Sequence, residues 1–230
     1  MVVLEKYKYQ MHTHTAPCSK CAPMLKQELV DALVKGRYSG CVLTNHFFKG
    51  NTGIDRNLPW NEFVAEYEKD YYECKKIAQI HDLDIFFAIE EHLFDGLEIL
   101  CYGITPKFLY EHPELRDDHC IETWSRALHD FGALCIQAHP FRDRSYIKTP
   151  RLLPSEYIDG IEVFNACNMP EENTQAADAA AIHPEWILTA GGDAHLPKSA
   201  CWSGIETSTR ISDEKALIKI LKSGDYDLIK

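Results

Sequence analysis

The sequence predicts an α/β fold with a mainly parallel sheet and helical crossovers, either open or closed into a barrel. Two observations carry this. Short apolar runs of strand length alternate along the chain with longer stretches whose apolar residues recur every three or four positions. Polar residues able to bind metal fall where those short runs end, which is the active-site rim of such folds. With 230 residues, 45% of them apolar, the chain has enough material for one proper core. No internal repeat, low-complexity linker or shift of composition divides it, so one domain over 1–230 is expected.

The elements follow in order. Lys6 to His14 alternates with period two, setting Tyr7, Tyr9 and Met11 on one face and Gln10, His12 and His14 on the other. Leu25, Leu29, Val30, Leu33 and Val34 are spaced as in a helix over 24–35, with Gly36 as its stop. Cys41 to Thr44 reads as a short buried strand leading into Asn45 and His46. Apolar positions 63, 67, 71, 74 and 78 predict a long amphipathic helix over 61–81. Strands are expected over 84–90 and 97–102, separated by the turn signal Asp95-Gly96. A helix over 122–131 and a strand from Ala133 to His139 come next, then a strand over 160–165. The alanine-rich stretch 174–182 favours helix. A strand from Trp186 leads to Asp193 and His195, and a helix over 213–222 precedes a last strand at 226–229.

Charge narrows the function. The chain has 24 Lys+Arg against 35 Asp+Glu, a formal net charge of −11, and that field repels a phosphate backbone. A small soluble substrate is therefore expected rather than long nucleic acid. MVVLEKYKYQ lacks the basic and then apolar pattern of a leader, and no run of about 18 apolar residues occurs. The expectation is a cytoplasmic protein with no membrane partner. Nine cysteines, an odd number and several within apolar strands, read as thiols in a reducing compartment.

Chemistry is concentrated in a few motifs. Neutral imidazoles and carboxylates are what divalent metals need, and residues at i and i+2 on a strand point the same way. His12-Thr-His14 and Asp193-Ala-His195 both have this form. Together with Asn45-His46, Ile89-Glu90, His139-Pro140 and Glu162-Val-Phe-Asn165, they resemble the PHP family, named for polymerase and histidinol phosphatase. The resemblance runs from residue 6 to about 228. It implies a distorted, TIM-like (β/α) barrel of seven strands and a centre of two or three divalent ions, zinc, manganese or iron.

By that resemblance His12, His14, Glu90 and Asp193 ligate one ion, and Glu90 bridges to a second that His139 also binds. His46 and His195 hold a third. Glu98 is the nearest match to a further histidine at the second ion, and a carboxylate there hardens the site toward manganese or iron(II). The family histidine six residues after His14 is Lys20 here, which cannot ligate while protonated. Cys18 and Cys21 are the neighbours able to replace it. Asn45 stands where the family usually has aspartate.

The implied activity is hydrolysis of a small phosphate ester, like histidinol phosphate or a nucleotide, by metal-activated hydroxide. Arg142 is the first candidate for contact with the phosphoryl oxygens and Lys20 the second. His195 or Asp193 is expected to move the proton. Asn165 has two readings, positioning a ligand or satisfying a loop. His92 and His119 are candidate outer contacts. Two other functions remain: a metal hydrolase for C–N or C–O bonds on a similar barrel, and a non-catalytic metal-binding regulatory module. The sequence leaves the oligomeric state open.

Overall fold

The computed structural model describes residues 6–230. Residues 1–5, half of the N-terminal stretch read for a leader, lie outside the described residues. One sheet of nine strands organises the chain: β1 (Tyr7–Gln10), β2 (Gly40–Leu43), β3 (Asp84–His92), β4 (Glu98–Tyr102), β5 (Leu134–Gln137), β6 (Gly160–Asn165), β7 (Ile187–Gly191), β8 (Gly204–Thr207) and β9 (Asp227–Ile229). Their order across the sheet is β7-β6-β5-β4-β3-β2-β1-β8-β9. Among the described residues six α-helices accompany them: α1 (Lys26–Gly36), α2 (Trp60–Gln79), α3 (Pro106–Glu111), α4 (Ile121–Phe131), α5 (Pro170–Ile182) and α6 (Glu214–Ser223).

The sheet curls almost to closure. At its edges the Tyr226 hydroxyl donates to the Leu188 carbonyl at 2.8 Å. At one mouth, Thr13 beyond β1 forms a parallel bridge with Ala194 beyond β7. The circuit β1 to β7 thus supplies the seven expected strands, but the count is nine because β8 and β9 add an antiparallel pair beside β1. The expectation of a mainly parallel sheet also needs correction. Strand β4 runs antiparallel to both β3 and β5, since the short link 93–97 allows a hairpin but is too short for a parallel crossover. The strand at Gly204–Thr207 had no counterpart in the sequence reading, because four residues flanked by Ser203 and Thr209 give too little alternation to register.

Period two along the strands sorts the side chains into two cores. Cys41, Leu43, Ile85, Phe87, Ile89, Ile99, Cys101 and Cys135 face the helices, packing with residues such as Leu29, Leu33, Phe63, Tyr67 and Trp124. Val42, Phe86, Ala88, Leu100, Tyr102, Leu134 and Ile136 fill the interior, joined by Leu217, Ile218 and Leu221 of α6. Burying each such side chain contributes about 1.5–3 kcal/mol. The alternation continues past the apolar layer to the mouth, where positions 90, 98 and 162 are glutamates, all buried. The same inward phase reaches Gly191 on β7, where a Cβ would meet Glu162 Oε1 at 2.2 Å and His12 Cβ at 2.5 Å. Only glycine leaves room for those two side chains.

Candidate metal centre

Every predicted ligand converges at the mouth formed by β1, β2, β3, β4, β5 and β7. His12 Nε2 lies 3.1 Å from Glu90 Oε1 and 3.6 Å from Asp193 Oδ1. His14 Nε2 is 3.1 Å from Asp193 Oδ1, and His46 Nδ1 is 2.8 Å from Glu90 Oε2. His139 Nε2 sits between the two carboxylates, 3.1 Å from Glu90 Oε1 and 3.4 Å from Glu98 Oε2. His195 Nδ1 is 2.8 Å from the Asp193 carbonyl oxygen. Ligand atoms lie within 4.8 Å of one another in four sets: His12-His14-Glu90, His12-His139-Asp193, His46-Glu90-Glu98 and His14-His46-His195.

The local backbone explains why these side chains turn inward. Regular β1 ends at Gln10, whose side-chain oxygen accepts from the N–H groups of Met11, His12 and Gly192. That amide satisfies strand-end donors while His12 and His14 leave the ladder. His139 (φ 27°) and Asp193 (φ 46°) both adopt left-handed backbone just after β5 and β7. Non-glycine residues rarely do so, and such strain is found where a site dictates side-chain direction.

Outer contacts fix the rings. Glu162 Oε1 faces His12 Nδ1 at 3.0 Å, and its other oxygen accepts from the His139 backbone N–H and from Asn165 Nδ2. Asn165 Oδ1 also accepts from Cys167 N–H, so it performs both expected roles. Ser19 Oγ lies 3.2 Å from His14 Nδ1 and donates to Asn45 Oδ1. Asn45 Nδ2 donates in turn to buried Asp70, which also accepts from Lys26 and Thr15. The carboxylate missing at position 45 is thus supplied one residue further out.

The electrostatics are those of interleaved opposite charges. Burial opposes charging of His12 and His46, yet the neighbouring carboxylates hold both well above the ordinary histidine value. Burial, with His46 and His195 alongside, pushes His14 well below it. Burial would raise Glu90 and Asp193, but His12 beside both, His46 beside Glu90 and Arg142 beside Asp193 hold these carboxyls well below their usual range. Burial likewise opposes ionisation of the Cys21 thiol, but His195 and His46 bring it down to about 6.

Four buried atoms at the centre, His12 Nε2, His14 Nε2, His46 Nδ1 and Glu90 Oε2, face one another or a neighbouring carboxylate at 2.8–3.1 Å without hydrogen-bond geometry. Leaving such atoms unsatisfied is costly, and imidazole nitrogens with carboxylate oxygens are the donor set a divalent ion takes. The residues therefore fit bound metal.

A cavity of about 470 Å³ opens beside the cluster, lined by His46, Glu90, Glu98, His139, Asp193 and His195 together with Cys21, Lys49, Asn51, His92, Arg142 and Tyr146. Arg142 is buried, with Nη1 2.6 Å from Asp193 Oδ2 and Nε donating to Asn168 Oδ1, while Nη2 has no hydrogen-bond partner. Lys20 does not line this cavity. It is exposed, and its backbone N–H donates to the Asn51 carbonyl. The lysine at the cavity is Lys49, which sequence reasoning passed over, as it did Tyr146 and the role of Glu162. His92 reaches the rim, but His119 lies against Phe94, away from the cavity.

No family model matches this sequence, and no curated protein does. Solved structures do match. A two-domain protein from Bacteroides vulgatus, containing a predicted PHP-like metal-dependent phosphoesterase, aligns over 97% of the chain at 14% identity, TM-score 0.69; the alignment spans 64% of that protein. A putative metal-dependent phosphoesterase from Bifidobacterium adolescentis aligns over 93% of this chain and 95% of its own, at 14% identity, TM-score 0.56. The lesion-specific endonuclease PfuEndoQ from Pyrococcus furiosus aligns over 97% of this chain and 58% of its own, at 14% identity, TM-score 0.67. Another matching structure is an endonuclease Q complex with a 27-mer duplex that has an abasic lesion at the active site. The chain shares its fold with these PHP-like proteins.

Proposed function

We propose that the chain is a metal-dependent phosphoric ester hydrolase acting on a small phosphate ester, one like histidinol phosphate or a nucleotide. One observation carries the reading: buried imidazoles and carboxylates from distant strands bring their ligand atoms within 4.8 Å of one another, beside a cavity lined by Arg142 and Lys49. His12, His14, Glu90 and Asp193 would hold one ion, Glu90, Glu98 and His139 a second, and His46 and His195 a third. Bound zinc, manganese or iron(II) would supply a nucleophilic water at neutral pH and charge to balance the phosphoryl oxygens.

The chain's own groups divide the remaining work. Arg142, paired with Asp193 at the cavity wall, would add positive charge for an anionic substrate, and Lys49 adds charge at the rim in the place expected for Lys20. Asp193, kept ionised beside Arg142, can ligate or accept a proton but cannot deliver one. His195 holds its Nδ1 on a backbone oxygen and so presents Nε2 outward. The reading takes 1–230 as a single domain, and the buried thiols at 18, 41, 74, 101 and 135 suit the cytoplasm. Among the described residues no helix is long and apolar enough to cross a membrane.

The likeness to endonuclease Q favours a second reading, cleavage of lesion-bearing DNA, and it weakens the charge argument against long nucleic acid. Elemental analysis of purified protein, with hydrolysis assays on phosphomonoesters, nucleotides and abasic duplex under manganese, zinc and iron(II), separates the two. At least two ions per chain with turnover of small esters and none of duplex is expected. Turnover of amides or lactones alone would point to the C–N or C–O hydrolase, and metal without any hydrolysis to the regulatory module.

A further inference from the structure

We propose that Cys21 supplies a thiolate to the outermost ion, alongside His195 and His46, and that this ligand makes the outer position selective for zinc. The inference rests on the metal-dependent reading above and adds a sulfur ligand to it. The residue before Cys21 is Lys20, which points to solvent, whereas Cys21 Sγ approaches His195 Nε2 to 3.1 Å.

Three further observations make this a site and not a solitary thiol. His195 Nδ1 is engaged by the Asp193 carbonyl at 2.8 Å, so Nε2 offers its lone pair on the side facing Cys21. His46 is buried, and its Nδ1 makes no hydrogen bond of good geometry. The His46 and His195 rings lie 6.1 Å apart, and both belong to a set whose ligand atoms fall within 4.8 Å.

The spacing also suits the ion. Zinc with a Zn–S bond of about 2.3 Å and a Zn–N bond of about 2.0–2.1 Å at a tetrahedral angle separates sulfur and nitrogen by about 3.5 Å. A shift of a few tenths of an ångström from the observed contact reaches that value. The turn carrying the thiol is pinned on both sides, since Lys20 N–H donates to the Asn51 carbonyl at 2.8 Å and Gly53 N–H to the Cys18 carbonyl at 2.7 Å.

Chemical selectivity follows from the contrast between positions. The inner sets contain Glu90, Glu98 and Asp193, oxygen ligands that accept manganese or iron(II). The outer set has imidazoles, and a thiolate added to them favours zinc over these harder ions. On ligation the Cys21 thiol releases its proton to solvent as the sulfur–metal bond forms.

The test titrates metal-free protein with cobalt(II), following the near-ultraviolet and visible spectrum, in wild type, Cys21→Ser and Cys120→Ser, and counts bound metal by elemental analysis. Wild type and Cys120→Ser should develop a thiolate-to-cobalt charge-transfer band that zinc abolishes and manganese does not. Cys21→Ser should lack the band and hold one ion fewer. Because Cys21 is exposed, that variant removes no core packing, and circular dichroism verifies its fold. Two or more cobalt ions in wild type with no thiolate band, a band that persists in Cys21→Ser, or manganese displacing cobalt as well as zinc does would overturn the zinc-selective thiolate and leave the metal-dependent reading standing. Fewer than two ions in wild type would overturn both.

Discussion

Glu162 Oε1 lies 3.0 Å from His12 Nδ1, and this contact decides which nitrogen of His12 faces the centre. A carboxylate on one ring nitrogen fixes the tautomer and raises the basicity of the other. Glu162→Gln should therefore lower metal affinity by about 10–100-fold while the barrel stays folded. Chelator competition reads the affinity and circular dichroism the fold; an unchanged affinity would refute the role.

Asp193 and Arg142 form a buried ion pair at 2.6 Å, so losing one partner strands the other. Asp193→Ala should abolish hydrolysis and also cost about 3–5 kcal/mol of stability, because the guanidinium stays buried without its counter-charge. The double variant Asp193→Ala/Arg142→Met should recover part of that stability without recovering activity. Denaturant titration of the three proteins measures both effects. His12→Ala leaves no such cation behind and should lose activity with a smaller change in midpoint.

At Gly191, adding one methyl group forces Glu162 and His12 apart, since the new Cβ would sit 2.2 Å from Glu162 Oε1 and 2.5 Å from His12 Cβ. Gly191→Ala should destabilise the fold by about 1–3 kcal/mol. It should also reduce metal content, which a general packing defect elsewhere in the barrel does not. Thermal melting and elemental analysis on the same sample check this prediction.

Glu91 points away from the centre into the helix-side core, and burial pushes its carboxyl up to about 7, although the N–H groups of Lys49 and His92 donate to Oε1. The folded state then holds its proton to higher pH than the unfolded chain, whose carboxyl has the ordinary value of 4.5. Glu91 accordingly removes stability as pH rises from about 4.5 to 7, on the order of 3 kcal/mol in all. Glu91→Gln keeps an acceptor for both N–H groups and should be more stable than wild type above pH 7, with little difference at low pH. Chemical denaturation of metal-free protein across that range decides it; parallel curves for the two proteins would exclude the effect.

Much of this architecture could be read from periodicity. The ends of β3, β5 and β7 were legible because inward apolar residues give way to Glu90, His139 and Asp193 after a clear strand pattern. Strand direction was not legible, since a strand of either sense has the same period of two. Glu98 reaches the mouth for this reason: it begins a strand that runs the opposite way. Lys20 was placed at the rim by its distance from His14, yet the turn at 15–22 presents Cys21 to the cavity instead. The roles of Glu162, Gln10 and Ser19 depend on contacts across 150, 182 and 5 positions respectively, and spacing along a chain does not encode such pairings.

The reversal of β4 has one more consequence. His92 stands directly opposite Glu98 in the β3–β4 register, with Glu90 one inward position further along, so a single hairpin presents two oxygen donors as a preassembled unit. Residues 93–97, the connector between them, are held from outside by His119 against Phe94 and by Lys148 and Arg151 on Asp95. Sliding Glu98 along this ladder would shift it against His139, His92 and His46 as well as against Glu90. The hairpin thus acts as a ruler that sets the spacing of the two carboxylates, and the histidines of neighbouring strands are seated against it.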